Sequence, residues 1–223
     1  MRLLPVPGVF QPPSDAWMLI RYMEDERLAA GADVLDLCTG SGALAIAAAR
    51  QGASEVTAVD ISRRAVAAVR LNALVNRARV RAVRGDLFAA VAGRRFDLIV
   101  SNPPYLPGEV SELPHRGLAR ATEGGRSGRA FLDRIAARAA AHLTEHGTVL
   151  LVYSSVCNEP ETLEALRAGG LSPRVVLRHR GPLGPHLTAR VDWLRAHGLL
   201  LEGDEEEILV VRAERAPVSA LAR

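Results

Sequence analysis

Between Asp33 and Ser155 the chain alternates short apolar runs with helical stretches, and few folds accept that order. "ADVLDL" (32–37) is apolar and stops at the turn signal "CTGSG". "ALAIAAARQ" follows as a helix, "EVTAVDIS" as a second strand, "RRAVAAVRLNALVN" as a second helix and "RVRAVRGD" as a third strand. "RFDLIVSNPPY" reads as the fourth strand, "GRAFLDRIAARAAAHL" as a strongly helical segment and "GTVLLVYSS" as the fifth strand. "EPETLEALRAGG" is a further helix whose terminal glycine suits a C-cap, and "SPRVVLRHR" and "EEEILVVRAER" complete the strands. Strand–helix alternation of this kind predicts an α/β fold, a mostly parallel sheet with helices on both faces.

The 223 residues suffice for one domain with its own core, read here as spanning 1–223. Residues 1–31 form a short leader in which Ser14 or Asp15 is expected to cap a helix. The segment 180–204 is longer than a turn between strands and reads as a partly helical insertion at the sheet edge. Aromatic residues are only 4%, so the core must be built from Ala, Val and Leu. The chain has no lysine, and the net charge of +3 permits an acidic or nucleic-acid partner without arguing for one. Cys38 and Cys157 stand far apart with no metal-ligand spacing around them, which predicts free thiols and no metal. With no apolar run of about 18 residues and no long apolar stretch near the N-terminus, the cytoplasm is the expected compartment.

The turn "DLCTGSG" (36–42) joins the first strand to the first helix. Gly40 and Gly42 let backbone approach a ligand, and the helix N-terminus offers free N–H groups. The loop lacks the second half of a G-x-G-x-x-G fingerprint, and no lysine follows to make a P-loop. The acidic ends of the next two strands give the loop its meaning. Asp60 ends the second strand, where a carboxylate accepts hydrogen bonds from both ribose hydroxyls of a nucleoside. Asp86 and Leu87 end the third strand, where the carboxylate suits an adenine amino group and the Leu87 N–H a ring nitrogen. Three carboxylates at three successive strand ends, with mostly apolar or glycine neighbours in sequence, argue for a ligand over ion pairing. Asp36 favours an ammonium and repels a phosphate. A ligand with an adenosine end and an amino-acid end is S-adenosylmethionine; NAD is the rival, and Asp36 weighs against its pyrophosphate.

"SNPPYLP" (101–107) then ends the fourth strand with two residues that cannot donate a ladder hydrogen bond. The Asn102 side-chain carbonyl and the Pro103 backbone carbonyl are two rigid acceptors, able to grip both hydrogens of a planar –NH2 group. Tyr105 can stack on the plane of that group. The arrangement suits methylation of a weakly nucleophilic amide or exocyclic amine nitrogen, which turns cationic as the bond forms.

The ordered motifs "VLDLCTGSG", "VTAVDIS", "RGDLF" and "SNPPY" resemble the class I S-adenosylmethionine-dependent methyltransferases. More narrowly the chain is similar to the HemK-type glutamine N5-methyltransferases of polypeptide release factors. "VFQPPSDAWML" and "EGGRSGRAFLDRI" (123–135) add to that likeness, which extends over nearly the whole chain. The resemblance implies a Rossmann-like seven-stranded sheet with an antiparallel late strand, for which "EEEILVVRAER" is the candidate edge strand. It implies that Asp36, Cys38 through its backbone, Gly40 and Gly42 hold the amino-acid end of the cofactor, Asp60 the ribose, and Asp86 and Leu87 the adenine. Asn102, Pro103 and Tyr105 would hold the target amide, and Asn102 would also contact the cofactor. The helical N-terminal substrate domain of the bacterial release-factor enzymes has no counterpart here, which places the chain nearer the short archaeal and eukaryotic subgroup. Ala16 stands where that subgroup has Thr or Ser. The eukaryotic form works with a small zinc-binding activator protein; the resemblance allows such a partner here, and no residue of this sequence shows one.

A protein methyltransferase acting on a glutamine amide is therefore the leading expectation. N-methylation of an RNA or DNA base, methylation of a small molecule, and a non-catalytic nucleoside- or protein-binding module are the alternatives. The lack of a dense basic stripe weighs against nucleic acid, and the intact carboxylates and NPPY turn against a non-catalytic module. In the 106–122 loop, His115 is expected to be dispensable, because methyl transfer from a sulfonium requires no strong base.

Overall fold

The structure, a computed structural model, describes residues 1–12, 14–109, 119–200, 203 and 205–216. Seven strands form one sheet: β1 (Asp33–Leu37), β2 (Glu55–Asp60), β3 (Arg81–Arg84), β4 (Phe96–Ser101), β5 (Leu143–Ser154), β6 (Leu171–Pro182) and β7 (Glu205–Arg215). Their spatial order is β3-β2-β1-β4-β5-β7-β6, and β7 runs antiparallel to both of its neighbours. The helices are α1 (Ser14–Asp25), α2 (Ala43–Arg50), α3 (Arg63–Val75), α4 (Ala119–Thr122), α5 (Ala130–Ala139), α6 (Glu159–Ala168), α7 (Pro185–Thr188) and α8 (Val191–Ala196).

Period-two alternation along the strands divides the core. Val34, Ala58, Leu98, Val100, Leu150, Val152 and Val210 pack with Leu19, Ile20 and Met23 of α1, the alanines of α2 and Val69 of α3. Leu35, Leu37, Val59, Ile99, Val149, Leu151, Tyr153, Leu209 and Val211 pack on the opposite face with Leu132 and Ile135 of α5 and Leu166 of α6. Leu187 of α7 and Leu194 of α8 extend that second layer, so the insertion contributes to the core. Each fully buried Leu, Ile or Val of this aliphatic interior contributes about 1.5–3 kcal/mol of burial.

Two expectations change. β7 is interior and β6 is the edge. The reason is burial: Leu209, Val210 and Val211 are fully buried in succession, as in a strand covered on both faces, whereas β6 is mostly half-exposed or exposed along its length. Ser14 and Asp15 do not precede α1 but lie in its first turn. Asp15 is 5% exposed and accepts a hydrogen bond from Tyr105, which accounts for a carboxylate there better than capping does.

Among the described residues no helix is long and apolar enough to cross a membrane.

Candidate active site

The strand order reverses at β1, whose neighbours are β2 and β4, and open α/β sheets bind ligands at such a switch point. Register places Leu37 opposite both Val59 and Ser101, so the loops after β1, β2 and β4 leave the sheet together. The Ser101 hydroxyl ties the β4 tip to β1 by donating to the Leu37 carbonyl at 2.7 Å. Cys38–Gly42, Asp60 and Asn102 thereby share one edge, with Asp86 and Leu87 just beyond β3.

The glycine loop is built around Asp36. By alternation this residue faces α2, and its Oδ2 accepts from the Thr39 hydroxyl at 2.5 Å and from the Ala45 N–H at 3.0 Å. Its Oδ1 is buried with no hydrogen-bond partner among the described residues. Burial raises the Asp36 carboxyl to about 7, against the pull of those two donors. Cys38 has a positive φ of 57°, which turns the chain out of the strand, and burial raises its thiol as well. Gly42 sits at φ 88° before α2, and a Cβ there would lie 3.2 Å from Val69, so glycine serves both the turn and the approach of α3. Asn72 of α3 is a support the sequence did not reveal. It is fully buried, donates to the Ser41 carbonyl at 2.9 Å and accepts from the leader's Leu4 N–H at 2.8 Å.

Asp60 Oδ2 accepts from the Gly40 N–H at 3.0 Å, and its Oδ1 from the Ser62 N–H at 2.9 Å. Burial raises this carboxyl too, opposed by those bonds and by the charge of Arg120. Asp86 is ion-paired, which the apolar and glycine neighbours in sequence had argued against. Arg134 of α5 pairs with it at 2.6 Å, and both side chains are nearly half exposed. The partner lies 48 positions away in sequence, so inspecting adjoining residues could not reveal it. Leu87 follows at φ 47° and is buried as it opens a short 3-10 helix.

On the other side of Asn102 lies a cavity of about 380 Å³. Asn102, Pro103, Pro104, Tyr105 and Leu106 form one wall, and Phe10, Ser14 and Asp15 of the leader another. Ala121 and Thr122 of α4, residues between His179 and Leu187, and Glu206 and Ile208 of β7 complete the lining. Residues 180–182, read from the sequence as the start of an insertion, belong to β6, and with the segment after them they form a cavity wall and not only a decoration of the sheet edge. Glu206, 9% exposed, clips this wall in place: it accepts from the Gly184 N–H at 2.9 Å and from the Ser154 hydroxyl at the end of β5.

The NPPY turn is held from beneath by the glycine-rich segment after it. Leu106 exchanges backbone bonds with Thr122 and Gly124, and a Cβ at Gly128 would collide with the Tyr105 carbonyl oxygen. The Cys157 thiol donates to that same oxygen at 3.0 Å. Among the described residues the Asn102 side-chain amide makes no hydrogen bond, so its carbonyl is available at the cavity wall. The Tyr105 hydroxyl donates to Asp15. His115 lies outside the described residues.

These features fit S-adenosylmethionine. The partnerless buried Asp36 oxygen is the complement of an ammonium, and the site offers carboxylates where a dinucleotide would need anion-binding groups.

Comparison with known proteins agrees. Residues 14–168 match the methyltransferase small domain family. A protein of Methanocaldococcus jannaschii, provisionally named a protein N5-glutamine methyltransferase, is 34% identical over 176 residues, which are 79% of this chain and 87% of that protein. The release factor glutamine methyltransferase of Deinococcus radiodurans is 36% identical over 195 residues, covering 82% of this chain but only 64% of its own length. Among solved structures, that of the E. cuniculi Mtq2–Trm112 complex, responsible for methylating the termination factor eRF1, superimposes with a TM-score of 0.64 at 22% identity over 94% of this chain and 99% of that one. That last likeness shows the fold. Taken with the site, the family match makes S-adenosylmethionine the methyl donor, and the chain belongs to the methyltransferase small domain family as a class I S-adenosylmethionine-dependent methyltransferase.

Proposed function

We propose that this methyltransferase acts on the side-chain amide nitrogen of a glutamine in a protein such as a release factor. The observation that carries the reading is Asn102. It stands at the tip of β4 beside the glycine loop, on the wall of a cavity, with an amide that no other described residue engages. The two named relatives, from M. jannaschii and D. radiodurans, support glutamine as the acceptor.

In this reading Asp36, the Cys38 backbone, Gly40 and Gly42 hold the amino-acid end of the cofactor, Asp60 the ribose, and Asp86 with the Leu87 N–H the adenine. The cofactor supplies a methyl group already activated on a sulfonium. The Asn102 and Pro103 carbonyls accept the two N–H bonds of the amide and aim its nitrogen. Their dipoles are fixed in place before reaction, and they stabilise the positive charge that develops on nitrogen. Pro103, Pro104, Leu106 and Leu187 make the cavity largely apolar, which keeps water from competing for the amide.

A second reading follows from the cavity itself. About 380 Å³ is enough for a small acceptor, and the insertion supplies much of its wall. Tritium transfer from labelled S-adenosylmethionine separates the two. The assay offers a release factor, the same factor with its acceptor glutamine replaced, ribosomal proteins, RNA and a small-molecule extract, with and without a small Trm112-like subunit, since the E. cuniculi protein is seen in such a complex. Label lost on replacing the glutamine supports the proposal; label only in the small-molecule fraction overturns it.

A further inference from the structure

Tyr105 is held at both ends. Its carbonyl accepts from the Cys157 thiol on the α5–α6 side, where Gly128 packs close against it. Its hydroxyl is fixed from the opposite direction by Asp15, which lies 90 positions earlier in the chain. Asp15 is 5% exposed, and its neighbours on α1 are the buried apolar residues Ala16, Leu19 and Ile20. Packing alone would favour another apolar side chain there, because a buried carboxylate costs free energy unless it is hydrogen-bonded. Among the described residues its hydrogen-bond partner is the Tyr105 phenol, with no guanidinium on it. Asp15, Tyr105 and Asn102 all line the same cavity. Removing Asp15 would leave the ring free to turn about its side-chain torsions on the wall where the acceptor amide is to lie.

We propose that Asp15 is a positioning residue for methyl transfer, holding the Tyr105 ring against the acceptor through the Tyr105 hydroxyl, so that the N-terminal helix is part of the acceptor site. The inference rests on the reading of Asn102–Tyr105 as the amide grip. Burial, reinforced by the Asp15 charge, keeps the Tyr105 phenol protonated well above the ordinary range, so the hydroxyl stays a donor throughout neutral pH.

A double-mutant cycle tests it. Asp15→Ala and Tyr105→Phe should each lower kcat/KM about tenfold or more, and the double variant should be no worse than either alone, because both remove one interaction. Asp15→Asn, whose amide oxygen still accepts, should recover part of the loss. Affinity for the demethylated cofactor, measured by calorimetry, should stay within about twofold in all four proteins. Losses that multiply in the double variant, or parental turnover by Tyr105→Phe, overturn the proposal. Tyr105→Phe keeps the ring, so it decides the question even if Asp15→Ala fails to fold.

One readout needs no acceptor. In protein carrying 13C at the tyrosine ζ position, the signal lost in Tyr105→Phe identifies Tyr105. It should begin to titrate at lower pH in Asp15→Asn than in the parent, and an unmoved titration sinks the contact. A parent protein that methylates no glutamine, yet shows this shift, would overturn the acceptor assignment and leave the Asp15–Tyr105 link standing.

Discussion

Asp60 at the tip of β2 accepts the backbone N–H of Gly40 at 3.0 Å, which joins the acidic strand end to the glycine loop across 20 positions of sequence. One carboxylate thus shapes the loop and faces the place assigned to the ribose. Replacing it has two effects that act in the same direction.

Asp60→Ala should lower cofactor affinity at least about tenfold, since a charge-assisted hydrogen bond contributes about 1.5–3 kcal/mol. Asp60→Asn, which can still accept from Gly40, should fall between the two. Titration calorimetry with the demethylated cofactor reads both. Affinity unchanged in the alanine variant removes Asp60 from the cofactor site.

Cofactor binding should depend on pH through Asp36. Its carboxyl is raised to about 7 from an ordinary 3.8, chiefly by burial. Between those values the folded chain holds a proton that the unfolded chain has released. Its contribution to stability is therefore full below about pH 4 and is lost as pH rises through about 7. An ammonium beside Asp36 favours the carboxylate, so binding near pH 7 should release up to about half a proton. Calorimetry in buffers of differing ionisation enthalpy measures that release. In Asp36→Asn it should vanish; release that persists would locate the titrating group elsewhere.

Asn102→Ala should leave cofactor affinity intact while turnover falls by roughly 10²–10³, the usual cost of removing one preorganised group at a developing charge. The loss belongs in kcat, because the interaction strengthens as the nitrogen becomes cationic. Methyl transfer and thermal unfolding measured on the same preparation separate this from a turn that is only structural, in which stability would fall and turnover per folded molecule would not.

Glu206→Ala leaves the Ser154 hydroxyl and the Gly184 N–H without their shared acceptor, a loss of roughly 1–3 kcal/mol. Because Glu206 holds the wall formed by the insertion, the acceptor KM should rise more than kcat falls, with cofactor binding unchanged. A lowered unfolding temperature with an unaltered acceptor KM would show that the wall does not touch the substrate.

Much of the architecture was legible because it is periodic. Buried parallel strands must be apolar over their whole length and their crossover helices must follow in order, so "VLDL", "VTAVD" and "DLIVS" mark β1, β2 and β4 with little ambiguity. The placement of the candidate site residues at the strand ends was legible for a related reason. Gly40, Gly42, Asp60, Asp86 and Asn102 are each tied to a strand terminus a few residues away, and local spacing carries that information.

Partnerships across the sheet were not legible. Nothing near Asp15 points to Tyr105, nothing near Asp86 to Arg134, and nothing near Glu206 to Ser154 or Gly184, because each pair is joined only after strands far apart in sequence become neighbours. The same holds for the place of β7 between β5 and β6. Local periodicity and turn chemistry were enough to specify the alternation of strands and helices and the residues at the strand tips. The burial of Asp36, the pairing of Asp86 with Arg134 and the closing of the cavity beside Asn102 by the segment from His179 to Leu187 arose only on folding. Burial and ion pairing are properties of what the folded chain brings alongside a residue, and no stretch of neighbouring sequence encodes them.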